Sequence, residues 1–429
     1  MRIALVSTPF LAVPPRNYGG TELVVYELAE GLVERGHDVT LFATGDSWTR
    51  ADLRWLYPEP EWPPDSYTEL NHVAWAMEIA EKGGYDVVHA HSASALAIGR
   101  LMPELPLVYT LHHEQVDSLS DYYRHHPDAW YVAISADQAS RETPLPNVEV
   151  IHHGLDPSRF DWRPTARGYV CFIGRFSPVK GVHTAIDAAE RAGVPIRVAG
   201  EIHEVDREFG AREVVPRLAK PHVTYLGCIG TDVKVPLLRD ARALLMPIDW
   251  NEPFGLVMIE AMLSGCPVVA FPRGSVPEVV EPGVTGFIVE SMLEMADVIR
   301  PGGPVDRFDR QRCRERAVER FSRERMVRDY ERVYERAVAA KGETARARLA
   351  ATPESVDAPP TTAQAGNAPG PIEAPPTTAH AGNAPEPIDA PPTIAQAGAT
   401  PEPVQAPPTM SRIGKPGQGR PRGRLSATG

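Results

Sequence analysis

Short, near-continuous apolar runs alternate with amphipathic helical stretches along the first 340 residues, and this alternation constrains the fold more than any other feature. RIALVS opens the chain, followed by the loop TPFLAVPPRNYGG, the helical stretch TELVVYELAEGLVERG and a second apolar run, HDVTLFAT. Strands that read as unbroken apolar runs are covered on both faces, which is the condition of a parallel sheet. Val24, Leu28 and Leu32 recur at intervals of four and give the intervening helix one apolar stripe. Further runs at 86–90, 107–111, 130–134 and 148–152 continue the pattern. After Asp156 a polar stretch, PSRFDWRPTARG, interrupts it, and the same grammar restarts at Tyr169 with YVCFIGRF and runs at 196–200, 223–227, 243–247 and 266–271. Strand and helix alternating twice in this way predict an α/β chain of two Rossmann-like, doubly wound domains, 1–160 and 168–340, facing a central cleft. An Arg/Glu-rich amphipathic stretch, Ser322 to Ala340, closes the second and is long enough to pack back across the joint.

Proline marks where this pattern stops. The chain has 44 prolines, and residues 351–429 hold 17 of them, with no Phe, Trp or Tyr after Tyr334. There APPTTAQAGNAPGPI, APPTTAHAGNAPEPI and APPTIAQAGATPEPV begin at Ala358, Ala374 and Ala390, a period of 16. Ordering such a segment costs roughly 1.5 kcal/mol per residue, which its few Ile and Val side chains do not offset. Residues 345–429 are therefore expected to form a disordered Pro/Ala-rich tail. The formal net charge of −12 is the wrong sign for a sequence-independent nucleic-acid binder. Four dispersed cysteines, Cys171, Cys228, Cys266 and Cys313, give neither a zinc-ribbon spacing nor a disulfide framework. With no secretory leader and no apolar stretch of 18 residues, the expected location is cytoplasmic, with peripheral membrane contact left open.

The chemistry concentrates in DWNEPFGLVMIEAMLSGCPVVAF, residues 249–271. Pro253 is expected in the first turn of a helix. Phe254, Gly255 and Leu256 then present backbone N–H groups at the positive end of its dipole, a setting suited to phosphate. Glu260 follows Glu252 by eight residues and stands among Met258, Ile259, Ala261 and Met262, so its carboxylate needs a partner. Two carboxylates beside a phosphate cradle suit a nucleotide sugar, one for the ribose hydroxyls and one for the sugar.

EPFGLVMIEAM resembles the signature of the retaining family 4 glycosyltransferases of GT-B type, and so do NYGGTE (17–22), GRFSPVKG (174–181) and GSVPEVVEPGVTGFIV (274–289). The wording is most similar to the branch with avilamycin-pathway-type transferases. The resemblance implies that Arg175 and Lys180 neutralise the diphosphate leaving group, that Gly19 and Gly20 approach it from the other domain, and that Leu226 to Gly230 meet the base. It implies further that Glu252 contacts the donor sugar, Glu260 the ribose, and that His112 helps hold the transferred sugar, with His113 as a rival. Histidines also cluster at other strand ends (His89, His91, His152, His153), but no metal-binding helix spacing and no Asp-x-Asp accompany them, so no metal and no cofactor is expected. The implied partners are a nucleoside-diphosphate sugar and an unidentified hydroxyl acceptor. Two rival readings keep the architecture: a nucleotide-sugar epimerase, and a silent nucleotide-sugar binder whose tail recruits a partner.

Overall fold

A computed structural model describes residues 1–351 other than Tyr18, with side chains as far as Glu343. The 16-residue repeats and most of the expected tail lie outside the described residues. Seven strands form the first sheet: β1 (Arg2–Val6), β2 (Asp38–Phe42), β3 (Asp52–Arg54), β4 (Val87–Ala90), β5 (Leu107–Thr110), β6 (Trp130–Ala133) and β7 (Val148–Val150). They are parallel throughout and ordered β3-β2-β1-β4-β5-β6-β7. Six more form the second: β8 (Val170–Ile173), β9 (Ile196–Ala199), β10 (Val223–Tyr225), β11 (Leu244–Met246), β12 (Val268–Ala270) and β13 (Gly286–Ile288). These are also parallel, in the order β10-β9-β8-β11-β12-β13.

Each sheet separates two apolar clusters, one per face, so the inner strands are buried on both sides and their unbroken hydrophobicity is explained. Strand order reverses beside β1 in the first sheet and beside β8 in the second. At such switch points the loops leaving the carboxyl ends of neighbouring strands diverge and leave a crevice. The loop after β1 ends at Gly19, directly before Gly20 opens the next helix, that after β8 carries Arg175 and Lys180, and that after β11 carries Glu252. Two strands went unmarked by the apolar pattern. The sequence of β3, DLR, is a polar and partly exposed edge strand, and β13 is only three residues long, at the other sheet's edge.

The last of the described helices return the chain to the first sheet. Leu155 N–H donates to Phe321 O, and Arg323 N–H donates to Leu155 O, so the end of the Arg310–Phe321 helix is laced to the joint. The following helix, Arg323–Ala351, then inserts Met326, Val327, Tyr330, Val333, Tyr334 and Ala337 into the core of the first sheet. It runs past residue 345, where order was expected to end. Buried Glu27 of the Gly20–Glu34 helix receives Arg159 at 2.8 Å and Arg323 at 3.4 Å, an ionic tie at the same crossing. Glu278 supplies a second tie between the two halves: its carboxylate accepts from Ala136 N–H (2.9 Å) and Asp137 N–H (3.0 Å) and meets His152 Nε2 at 3.1 Å. Those contacts outweigh its desolvation and hold its carboxyl below the usual range.

Candidate active site

The helix of the 249–271 segment spans Leu256–Leu263. Gly255 is its N-cap and has φ 77°, a left-handed value that breaks the helical path. Pro253 consequently lies outside the helix, not in its first turn as expected, and Phe254 is a loop residue. The first N–H groups of the helix, beginning at Leu256, lack intrahelical acceptors and point out of its N-terminus. Gly20 faces this terminus from the first half: a Cβ built on it would stand 3.6 Å from Leu256 Cδ1. On the other side a Cβ at Gly230 would lie 3.5 Å from Arg16 O and 3.6 Å from Asn17 Oδ1. The loop ending in Gly19 and Gly20 therefore touches both the helix mouth and the Leu226–Gly230 segment. Glu22, just inside the first helix, is buried and accepts from Thr8 Oγ1 at 2.8 Å, and desolvation raises its pKa.

Both carboxylates of the Glu-x7-Glu pair are buried and each has a lysine. Glu252 Oε2 lies 2.6 Å from Lys180 Nζ and accepts from Trp250 Nε1 at 3.1 Å, while the ammonium of Lys180 sits 4.2 Å from the Trp250 ring centroid. Glu260 Oε1 is 2.5 Å from Lys234 Nζ, which the Thr231–Asp240 helix brings in from the end of the Leu226–Gly230 loop. Lys234 and Trp250 are the residues that sequence reasoning missed. Trp250 stands two positions before Glu252, but no local spacing relates Lys234 to Glu260. Arg175 is placed differently from the other three charged side chains: its Nε pairs with Asp206 Oδ2 at 3.5 Å, and it bonds to neither Glu252 nor Glu260. Behind the Glu252 loop, Ser275 N–H donates to Glu252 O at 2.9 Å and Ser275 Oγ donates to Phe254 O at 3.0 Å. The GSVPE segment is thus a buttress for the EPFG segment.

Across the crevice, the histidines noted at strand ends form a row. His89 and His91 rings are 4.3 Å apart, His91 Nδ1 is 2.8 Å from His112 Nε2, and His112 stacks on His153 with centroids 5.7 Å apart. His153 meets Phe254 edge-on at 4.9 Å, which joins the row to the loop carrying Glu252. His113, the rival of His112, is exposed and outside the row. Among the described residues no group of three or more His, Cys, Asp or Glu side chains is arranged to hold a metal ion. None of the described helices is long and apolar enough to cross a membrane.

Burial is the chief cause that keeps the row uncharged. It pushes His89 and His153 down to about 3, with neighbouring cations and rings adding to it, and holds His91 and His112 well below the usual imidazole range. Burial also pushes His72 down to about 4. In the unfolded chain these rings take up protons near 6.5, so between that value and the folded values the unfolded state binds more protons. Stability is expected to fall as pH drops from about 7 toward 4. Glu27, raised by desolvation to about 6, and Glu22, also raised by desolvation, act in the opposite direction, but they are two carboxyls against five displaced imidazoles. Thermal unfolding across this range checks the sign: a melting temperature that rises on acidification contradicts it.

Residues 18–159 match the family model described as Glycosyltransferase Family 4, and residues 158–300 match Glycosyl transferases group 1. An uncharacterized glycosyltransferase of Methanocaldococcus jannaschii is 26% identical over 349 residues, covering 67% of this chain and 85% of the relative. The D-inositol 3-phosphate glycosyltransferase of Streptomyces scabiei is 26% identical over 364 residues, covering 67% and 80% respectively. Among solved structures, AviGT4, a glycosyltransferase involved in avilamycin A biosynthesis, shares 24% identity at a TM-score of 0.63, over 79% of this chain and 98% of that one. HepE of Anabaena, solved with UDP and glucose, shares 21% at a TM-score of 0.62, over 78% and 100%.

Proposed function

Since the chain belongs to the family 4 glycosyltransferases and has their GT-B architecture, we propose that it moves a sugar from a nucleoside diphosphate to an acceptor hydroxyl, with retention of configuration and without a divalent metal. The observation that carries this reading is the convergence at the mouth of the Leu256–Leu263 helix: Lys180 with Glu252, Lys234 with Glu260, and the Gly19–Gly20 loop opposite. The pyrophosphate would sit against the helix N-terminus and Lys180. Arg175, held only by a loose pair with Asp206, would turn onto it as charge develops. Buried Glu260, already neutralised by Lys234, accepts from ribose hydroxyls, and Glu252 accepts from a hydroxyl of the sugar. Leu226 to Gly230 bound the space for the base. As the bond from the anomeric carbon to the diphosphate breaks and that to the acceptor oxygen forms, the acceptor proton passes to a departing phosphate oxygen. His112, uncharged, can donate or accept a hydrogen bond at the sugar without opposing the positive charge that develops on it. Glu252 is not the nucleophile in this scheme: Lys180 and Trp250 both donate to its Oε2, and Oε1 is the oxygen that receives the sugar hydroxyl.

A thermal-shift screen of nucleotide sugars tests the reading. The correct donor at a hundred times its dissociation constant should stabilise the fold by about 2.7 kcal/mol, and EDTA should leave both the shift and turnover unchanged. A shift that vanishes with EDTA would assign the diphosphate charge to a metal. Absence of any shift across UDP-, ADP-, GDP- and dTDP-sugars would remove the donor site.

A further inference from the structure

The ring row extends deeper than sugar contact requires, and its inner members are tied down one by one. His89 uses both ring nitrogens, Nδ1 with Tyr334 OH and Nε2 with Thr110 Oγ1, each at 2.8 Å, and Thr110 Oγ1 also meets Tyr330 OH at 2.9 Å. The Arg323–Ala351 helix thereby fixes His89, and His89 packs on His91. Gln138 grips the backbone on either side of His112: its side-chain amide donates to Leu111 O at 3.1 Å and His113 O at 2.6 Å, and its Oε1 accepts from Ile134 N–H at 2.8 Å.

We infer that His91 and His153 are positioning residues that hold the ring of His112 between them and register it against the Glu252 loop. The inference rests on the role of His112 in the proposed reaction. One nitrogen of His112 is engaged by His91, so the ring cannot turn about its own axis without losing that bond. His153 lies on its face with an interplanar angle of 21° and carries the contact on to Phe254, two residues after Glu252. Packing alone does not account for this choice of side chains. His91 Nε2 and His153 Nδ1 are buried without a hydrogen-bond partner among the described residues, a cost that an aliphatic side chain would avoid. The titratable groups facing His112 are His91, His113 and His153; those facing His153 are His112, His152 and Arg325; those facing His91 are His89, His112 and His153. All of these disfavour a proton on the ring they face.

Five single substitutions in the full chain separate positioning from mere packing: His91→Leu, His91→Asn, His153→Ala, His153→Phe and His112→Ala. Turnover is read as nucleoside diphosphate release from whichever of UDP-glucose, ADP-glucose and GDP-mannose raises the melting temperature most. His91→Leu and His153→Ala should lower kcat about tenfold or more, with donor KM within about threefold of the parent. His91→Asn, whose amide replaces Nδ1, and His153→Phe, which keeps the ring, should restore most of the loss. In His153→Ala, more water reaches the half-buried His112, so the acidic limb of the pH–rate profile should move up toward the ordinary imidazole range. Independently of activity, 15N-histidine NMR of the full chain should show coupling between His91 Nδ1 and His112 Nε2 across their hydrogen bond. Parental kcat in His91→Leu and His153→Ala overturns the inference, as does an equal loss in the Asn and Phe variants or absence of the coupling. If His112→Ala retains parental turnover, the fault lies with the role given to His112 in the reaction.

Discussion

Lys180→Ala should lower turnover by roughly a hundredfold or more while the protein stays folded, because one electrostatic donor at a departing anion is worth about 3 to 4 kcal/mol of transition-state stabilisation. Lys180 is the charged side chain seated both against Glu252 and over the Trp250 ring at the helix mouth. Its removal leaves Glu252 with the Trp250 N–H as its remaining side-chain partner, a local cost of about 1 to 3 kcal/mol that the core on both faces of the second sheet can bear. Lys180→Arg discriminates further. The guanidinium keeps the charge and can stack on Trp250, but its planar fork does not reproduce a single short contact to Glu252, so partial recovery is expected. Initial rates of nucleoside diphosphate release, with melting curves beside them, provide the measurement. Near-parental rates for the alanine variant would take Lys180 out of the mechanism.

Gly274→Ala should damage both stability and activity although it touches no substrate. Gly274 has φ 57°, and a Cβ there would run into the backbone N and O of Glu252 and the carbonyl carbon of Asn251. Backbone atoms cannot swing aside as a flexible side chain can, so the collision must displace the Glu252 loop itself. Left-handed strain together with overpacking predicts a loss of roughly 2 to 4 kcal/mol. A displacement of about 1 Å at the carboxylate is enough for a further loss of roughly a hundredfold in turnover. Gly283→Ala is the matched control: its φ is 77°, but nothing lies within 4 Å of the added Cβ, so it carries the conformational penalty without the collision. Chemical denaturation and rate measurements on the two variants separate the effects. Equal behaviour of both would show that the buttress does not set the position of Glu252.

The strand ladder was readable because a parallel strand buried on both faces is apolar at nearly every position, and a run such as that of β8 advertises this directly. The exceptions, β3 and β13, are edge strands, where one neighbour is missing and burial no longer dictates composition. At the candidate site, the Glu252–Glu260 spacing and the Lys180 position are local features, and both were legible; the turn at Gly255 was not, because Pro253 suggests a helix start three residues earlier. The partners of those groups were not. Lys234 reaches Glu260 because a helix from another βα unit passes alongside, and Arg175 goes to Asp206 because the loop after β9 lies nearer to it than Glu252 does.

By itself, the order of residues determined which stretches could be strands and where loops had to separate them from helices, since each of these depends on neighbours within about ten positions. Only the tertiary structure decided which charges neutralise one another and that histidines from the ends of three strands, β4, β5 and β7, line up to meet Phe254. Coulomb and hydrogen-bond energies depend on distance through space, and closing the chain over tens to hundreds of residues sets those distances in a way that no spacing along the sequence encodes.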